Sequence, residues 1–230
     1  MVKVNLFIGI IFLIIGHEAT AQFMGKIAAD NFLYRVSSNK RQYYGQSMED
    51  IKGSPYNENQ FVLGDIYINN GKYTKIPLRY NIYDDKMEFQ QNEVTYALEP
   101  DLRMRKISVG ENVYVVDKFE FKWKEKVGYL LLLDSGKVSL MARLDVNFYE
   151  RQEPRAMESA PTPAKFTRLS NTYYFKVSNQ PVKKVESIKE MIASFPDKQV
   201  ELNSFAKKEK ISIKNEDELI KLVRYYNSLK

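Results

Sequence analysis

The stretch "VSLMARLDVNFYE", residues 138 to 150, constrains this chain more than any other. Val138, Leu140, Ala142, Leu144, Val146 and Phe148 fall on every second position. Strand side chains alternate between two faces, so this spacing predicts a strand with one buried face. Leu140, Ala142, Leu144 and Val146 are expected to enter the core, with Arg143, Asp145 and Asn147 on an open side. An unbroken strand of about 12 residues would run about 40 Å at 3.3 Å per residue. It is therefore expected to bend or to be shared between two sheets.

The segments before it read the same way. Phe119, Phe121 and Trp123 alternate with Glu120, Lys122 and Lys124, which predicts one buried and one wet face. Leu78, Tyr80 and Ile82 face one way and Arg79, Asn81 and Tyr83 the other, while Met87 and Phe89 share a side. Pro77 donates no backbone hydrogen bond, which places it at a strand edge or a bulge. Asn70-Gly71, Asp84-Asp85, Gly110-Glu111-Asn112 and "DSGK" read as tight turns. Strands joined by such short turns pair antiparallel, because parallel pairs need long crossovers.

Composition shifts near residue 153, where Pro154, Pro161 and Pro163 sit among small and charged residues. Beyond a short β-like patch the period becomes helical. Ser187 with Glu190, and Asn215 with Glu218, have capping-box spacing. Val200, Leu202 and Phe205 suggest a stripe, and Leu219, Leu222, Val223 and Tyr226 form an apolar face. The expected fold class is α+β: mainly an antiparallel β-sandwich or open barrel with a small C-terminal helical appendage. The expected organisation is a signal peptide over 1–21, an antiparallel β domain over 22–152, a proline-rich connection over 153–165, and the β patch with three helices over 166–230. Residues 22–52 have weak periodicity and receive no assignment.

The leader is read from Lys3, an apolar run from Leu6 to Ile15, and Ala19-Thr20-Ala21 ahead of Gln22. That run is too short to span a bilayer, and no later stretch predicts a transmembrane segment. An exported chain is expected, in the periplasm or outside the cell. It has no cysteine, and its single histidine, His17, lies in the leader. Disulfides, Ser-His-Asp or Cys-His catalysis, and zinc or copper sites with His or Cys ligands are thereby excluded from the mature chain. No phosphate-binding loop is present, and no cofactor or metal site is assigned, with calcium at the carboxylates around Asp84 left open although the EF-hand spacing is absent. The net charge of +6 suits an anionic headgroup, an envelope glycan or an acidic protein better than nucleic acid in that location.

Carboxylates are the remaining acid–base groups. Asp84, Asp85 and Glu88 cluster in "YDDKMEF", where turn geometry by itself favours aspartate. The 16 tyrosines exceed what a core requires. In a strand-borne doublet such as Tyr173-Tyr174, one ring is expected to reach solvent. The candidate surface site comprises Tyr56, Arg79, Asn81, Tyr83, Asp84 and Asp85. "GSPYNENQFVLGDI", with Pro55 setting one turn angle, reads as a rigid entry to the sheet.

These segments, with "LRYNIYDDKMEF" and the terminal "LIKLVRYYNSL", resemble a group of small exported proteins of Bacteroidetes whose usual form is GSPYLNxxF…LRYNxYxDxMEF. Asn57 stands where that group usually has leucine, so an apolar anchor is missing from the turn. The resemblance implies a cell-envelope location, no established enzyme activity and no assigned binding residues. The expected function is a soluble envelope protein with a non-enzymatic binding or structural role. Its partner would be an envelope protein or glycan, with peripheral outer-membrane association also open. A lipid or glycan carrier would show an apolar cavity, and a carboxylate-dependent hydrolase would show two converging acids.

Overall fold

Short turns join most strands to the next, and every strand pair they create is antiparallel. The computed structural model describes residues 34–37, 50–69, 71–91, 93–154 and 160–229. The expected leader and Asn70 lie outside the described residues. In chain order the strands are β1 (Tyr34–Ser37), β2 (Val62–Ile68), β3 (Gly71–Asn81), β4 (Lys86–Gln91), β5 (Val94–Leu98), β6 (Met104–Val109) and β7 (Asn112–Phe121). There follow β8 (Lys124–Asp134), β9 (Val138–Arg143), β10 (Val146–Tyr149), β11 (Lys165–Arg168), β12 (Thr172–Val177) and β13 (Lys183–Lys184). Three helices close the chain: α1 (Ile188–Ala193), α2 (Gln199–Lys208) and α3 (Glu216–Ser228). An 11-stranded sheet has the order β1-β5-β4-β3-β2-β6-β7-β8-β9-β12-β13, and β10 pairs with β11 in a second sheet.

The large sheet curls into a half-barrel. Tyr80 on β3 and Tyr129 on β8 sit four places apart in the strand order, which in a flat sheet is about 19 Å. Their ring centroids are 5.8 Å apart, and the Tyr129 hydroxyl donates to the Leu98 carbonyl on β5 at 2.9 Å. The concave face carries the main core, including Leu78, Tyr80, Met87, Phe89, Ile107 and Tyr114. Curling demands close backbone approach at Gly64 on β2, where a Cβ would lie 2.0 Å from the Ser108 carbonyl oxygen. A bulge follows, with Lys75 at φ 56° and its N–H held by Asp65 at 3.1 Å. Pro77 sits near it, beyond the residues of β3 that pair with β4.

The long alternating segment is divided between two sheets. It runs as β9, breaks at Leu144-Asp145 and resumes as β10 in the second sheet. Leu140, Ala142, Leu144 and Val146 are all buried. Arg143 departs from expectation: it is only 6% exposed. Its guanidinium lies 3.8 Å from the Phe121 ring centroid and 3.4 Å from Asp145. The physical reason is a second apolar layer on the convex face, where Phe119, Leu130, Met141, Tyr174 and Val182 pack together. The same layer buries Tyr174, so only Tyr173 of that doublet keeps part of its ring in solvent. Tyr173 is half-buried, packed against the helical core, and Tyr174 is buried on the opposite side.

Around the proline-rich stretch, Gln152 and Thr162 exchange backbone hydrogen bonds at 3.0 and 2.9 Å, extending the β10–β11 hairpin. β12 then returns to the large sheet beside β9. The helices pack on this end of the sheet and on each other. Ser187 and Asn215 cap α1 and α3 by accepting from the N–H groups of Glu190 and Glu218. Leu219, Leu222, Val223 and Tyr226 are buried together with Val138 and Leu140 of β9. In α2 the buried positions are Leu202 and Ala206, whereas Val200 is exposed. The stripe expected through Val200 is shifted because Phe205 turns to stack on Tyr225 of α3, with centroids 4.0 Å apart.

Candidate functional site

The "GSPY" segment continues the ladder that β2 makes with β3. Asn57 N–H donates to the Tyr80 carbonyl at 2.9 Å, and Ile82 N–H to the Pro55 carbonyl at 2.8 Å. Tyr56 thereby pairs with Asn81 across the ladder. Gly53 makes the approach possible, with φ +78° and a Cβ position only 2.4 Å from the Phe166 carbonyl oxygen. Neighbouring hydrogen bonds from Lys52 to Ala164 and from Phe166 to Lys52 tie the segment to β11.

This pairing brings four of the six candidate residues together. Arg79 lies between the rings of Tyr56 and Phe61, 3.7 and 4.3 Å from their centroids. It donates to the Tyr56 hydroxyl at 3.0 Å and to Glu88, its cross-strand partner on β4, at 2.8 Å. Glu88 is 1% exposed, and its other oxygen accepts from Asn81 Nδ2 at 3.0 Å. Asn81 Nδ2 also donates to Asp84, whose N–H donates back to Asn81 Oδ1 at 3.0 Å. A buried carboxylate is tolerated only when paired and hydrogen-bonded, and these contacts meet that condition.

The other two candidates point elsewhere. The Asp85 carboxylate accepts from the Tyr80 hydroxyl at 2.6 Å and from Lys126 of β8, bracing the β3–β4 turn against the far side of the half-barrel. Tyr83 packs edge-on against Phe148 and Phe166 of the second sheet. A neighbouring network lay outside the candidate set. Glu58 accepts from Asn57, Asn112 and the Tyr114 hydroxyl, while Arg168 donates to Asn57 at 2.6 Å. Asn57 is thus an amide hub at the position where an apolar anchor was missing.

Five of the described tyrosines serve the interior. Tyr80, Tyr114, Tyr129, Tyr174 and Tyr226 are fully buried, and each hydroxyl donates to an acceptor. Burial pushes all five phenols above their ordinary value, Tyr174 and Tyr226 to about 12. On the convex face a cavity of about 350 Å³ is lined by Arg105, Val115, Asp117, Leu132, Met141 and Lys176. Its charges include an Asp117–Lys176 pair at 2.5 Å.

One residue contradicts the alternation outright. Trp123, expected on the buried face with Phe119 and Phe121, is 92% exposed. Phe121 ends β7 and pairs with Lys124, so Lys122 and Trp123 form the two-residue turn itself. Both have positive φ, 50° and 63°. Such a turn ordinarily uses Asn-Gly, which is why the residue types gave no turn signal. The remaining clue was "FKWKEK", which sets the chain's single tryptophan among lysines.

No family model, curated protein or solved structure matches this chain.

Proposed function

We propose that this chain is an exported cell-envelope protein with a non-enzymatic binding or structural role, acting through its outer surface. The observation that carries the reading is the closed clasp of Arg79 with Tyr56, Phe61, Glu88 and Asn81. A glycoside hydrolase needs two carboxylates facing one gap about 5 to 9 Å wide. Here Asp84, Asp85 and Glu88 turn instead to Asn81, Tyr80, Lys126 and Arg79. A lipid or glycan carrier needs apolar interior volume, and buried side chains from β3, β4, β6, β7 and β8 pack across the concave face. Export rests on the leader pattern, and the resemblance to exported Bacteroidetes proteins points the same way.

Expression of the full chain in a Gram-negative host tests this. The expected product is recovered from the periplasm or medium with Gln22 at its N-terminus by intact mass. Retention in the cytoplasm with the leader uncut overturns export. Hydrolysis of ester or glycoside substrates that is lost in Asp85→Asn or Glu88→Gln overturns the non-enzymatic reading.

A further inference from the structure

We propose that the β7–β8 hairpin tip docks this protein on an anionic lipid bilayer, with Trp123 entering the headgroup region and Lys122 and Lys124 meeting the lipid phosphates. The proposal deepens the envelope reading and rests on it for its cellular setting. Four observations carry it. Trp123 is 92% exposed, the highest value among the exposed large apolar side chains of the described residues. It also occupies left-handed backbone, with φ 63°, directly after Lys122 at φ 50°. Bulky residues avoid that region, so neither folding nor turn geometry accounts for a tryptophan there.

The hairpin beneath the tip is held firmly. Phe119 meets Tyr174 edge-on at 5.1 Å, the Tyr174 hydroxyl donates to the Glu120 carbonyl at 2.9 Å, and Arg143 covers Phe121 at 3.8 Å. A rigid mount removes the backbone part of the ordering cost of presenting the indole.

Charge identifies the occupant. Lys122 and Lys124 flank the indole and are exposed. β13, with exposed Lys183 and Lys184, lies beside β7, and Lys184 is paired with Glu186 at 2.8 Å. Glu120 and Glu125 are the acids of the hairpin end, and Glu125 sits 3.6 Å from Lys118. A protein-binding hot spot needs an apolar cluster shielded by a rim, whereas this tip offers one ring on a two-residue turn. A bilayer interface accepts a single tryptophan at headgroup depth, and each nearby lysine adds attraction to anionic lipid.

The chain carries one tryptophan, so its emission reports the tip alone. Purified full chain is mixed with phosphatidylcholine vesicles and with mixed phosphatidylcholine–phosphatidylglycerol vesicles at low and physiological salt. The expected result is sedimentation with the mixed vesicles, a blue shift, and quenching by brominated acyl chains, all weakened by salt. Lys122→Gln with Lys124→Gln should lower binding about 20- to 30-fold, and Trp123→Ser should lower it as well. Lys207→Gln with Lys208→Gln, on the exposed side of α2, should leave it unchanged. Variants and wild type share one N-terminus, so a retained leader contributes equally to all.

Absence of both shift and sedimentation overturns the proposal, as does binding that survives the tip variants or falls equally with the α2 pair. A shift evoked by an envelope protein or a soluble anionic polysaccharide, and not by vesicles, also overturns it. None of these outcomes depends on where the cell delivers the chain, so failure here is distinct from failure of export.

Discussion

Arg79 and the Lys122–Lys124 turn both set cationic side chains among aromatic rings, yet the first is closed and the second open. At Arg79 the rings of Tyr56 and Phe61 cover the guanidinium, and buried Glu88 answers its charge. At the hairpin tip the indole stands in solvent between two exposed lysines. Residue types alone would rank the two regions alike as binding surfaces. Their difference lies in the counter-charge and in what covers them. The ladder brings Glu88 directly opposite Arg79, and the "GSPY" segment lies beside both. A cation and ring that are already satisfied hold the fold together, and those left unsatisfied are available to something outside it.

The largest test of this contrast is alkaline titration. A phenol held above its ordinary value near 10 stays neutral in the fold at a pH where the unfolded chain has ionised it. The stabilisation is therefore complete below about pH 10 and is lost as pH rises through the folded values, about 12 for Tyr174 and Tyr226. Urea midpoints should stay nearly level from pH 6 to 9, since His17 is the chain's single histidine. Above pH 10 they should fall steeply, while Trp123 emission stays water-like throughout. A strong dependence between pH 6 and 8 would break the account of an interior held by neutral tyrosines.

Next in size is Glu88→Ala, which strands Arg79 under its aromatic cover and should cost about 3 to 5 kcal/mol. Urea melts of this variant beside Lys124→Ala, expected within about 0.5 kcal/mol of wild type, set the closed and open regions against each other. Similar losses in both would mean the clasp is not closed.

The two faces of the alternating segment at Arg143 and Leu144 give an intermediate comparison. Leu144→Ala should cost about 2 to 5 kcal/mol through lost transfer energy and a cavity. Arg143→Ala should cost about 1 to 2 kcal/mol, because its guanidinium is desolvated over Phe121 rather than lying in water. A loss below about 0.5 kcal/mol would restore the one-sided sheet.

The smallest effect has the opposite sign. Lys122→Asn with Trp123→Gly supplies residues that accept left-handed backbone and should stabilise the chain by about 1 kcal/mol. It should do so while weakening vesicle binding, which would show that the native turn sacrifices stability for its exposed ring. Destabilisation would mean the indole packs on the fold after all.

Local pattern was enough for much of the architecture. Period-two spacing at Leu140, Ala142, Leu144 and Val146 predicted their burial, and the length of that run predicted that it would either bend or be shared between two sheets, of which the second is found. Ser187 and Asn215 announced the caps of α1 and α3, and the i, i+3, i+4, i+7 stripe predicted the buried face of α3. These features depend on neighbours within one element, so the order of residues determines them. Curling and coverage depend on partners far away in sequence, and only the tertiary structure decided those. Alternation puts Arg143 on an open face because it says which face a side chain takes, not what lies over it. It puts Trp123 in the core because a two-residue turn without glycine leaves the alternating count unbroken. Asp84, Asp85 and Glu88 read as a carboxylate cluster until the curl delivered Lys126 to Asp85 and the ladder delivered Arg79 to Glu88. Ion pairing is a matter of distance in space, and whether these acids were spent or free depended on how the sheet closed.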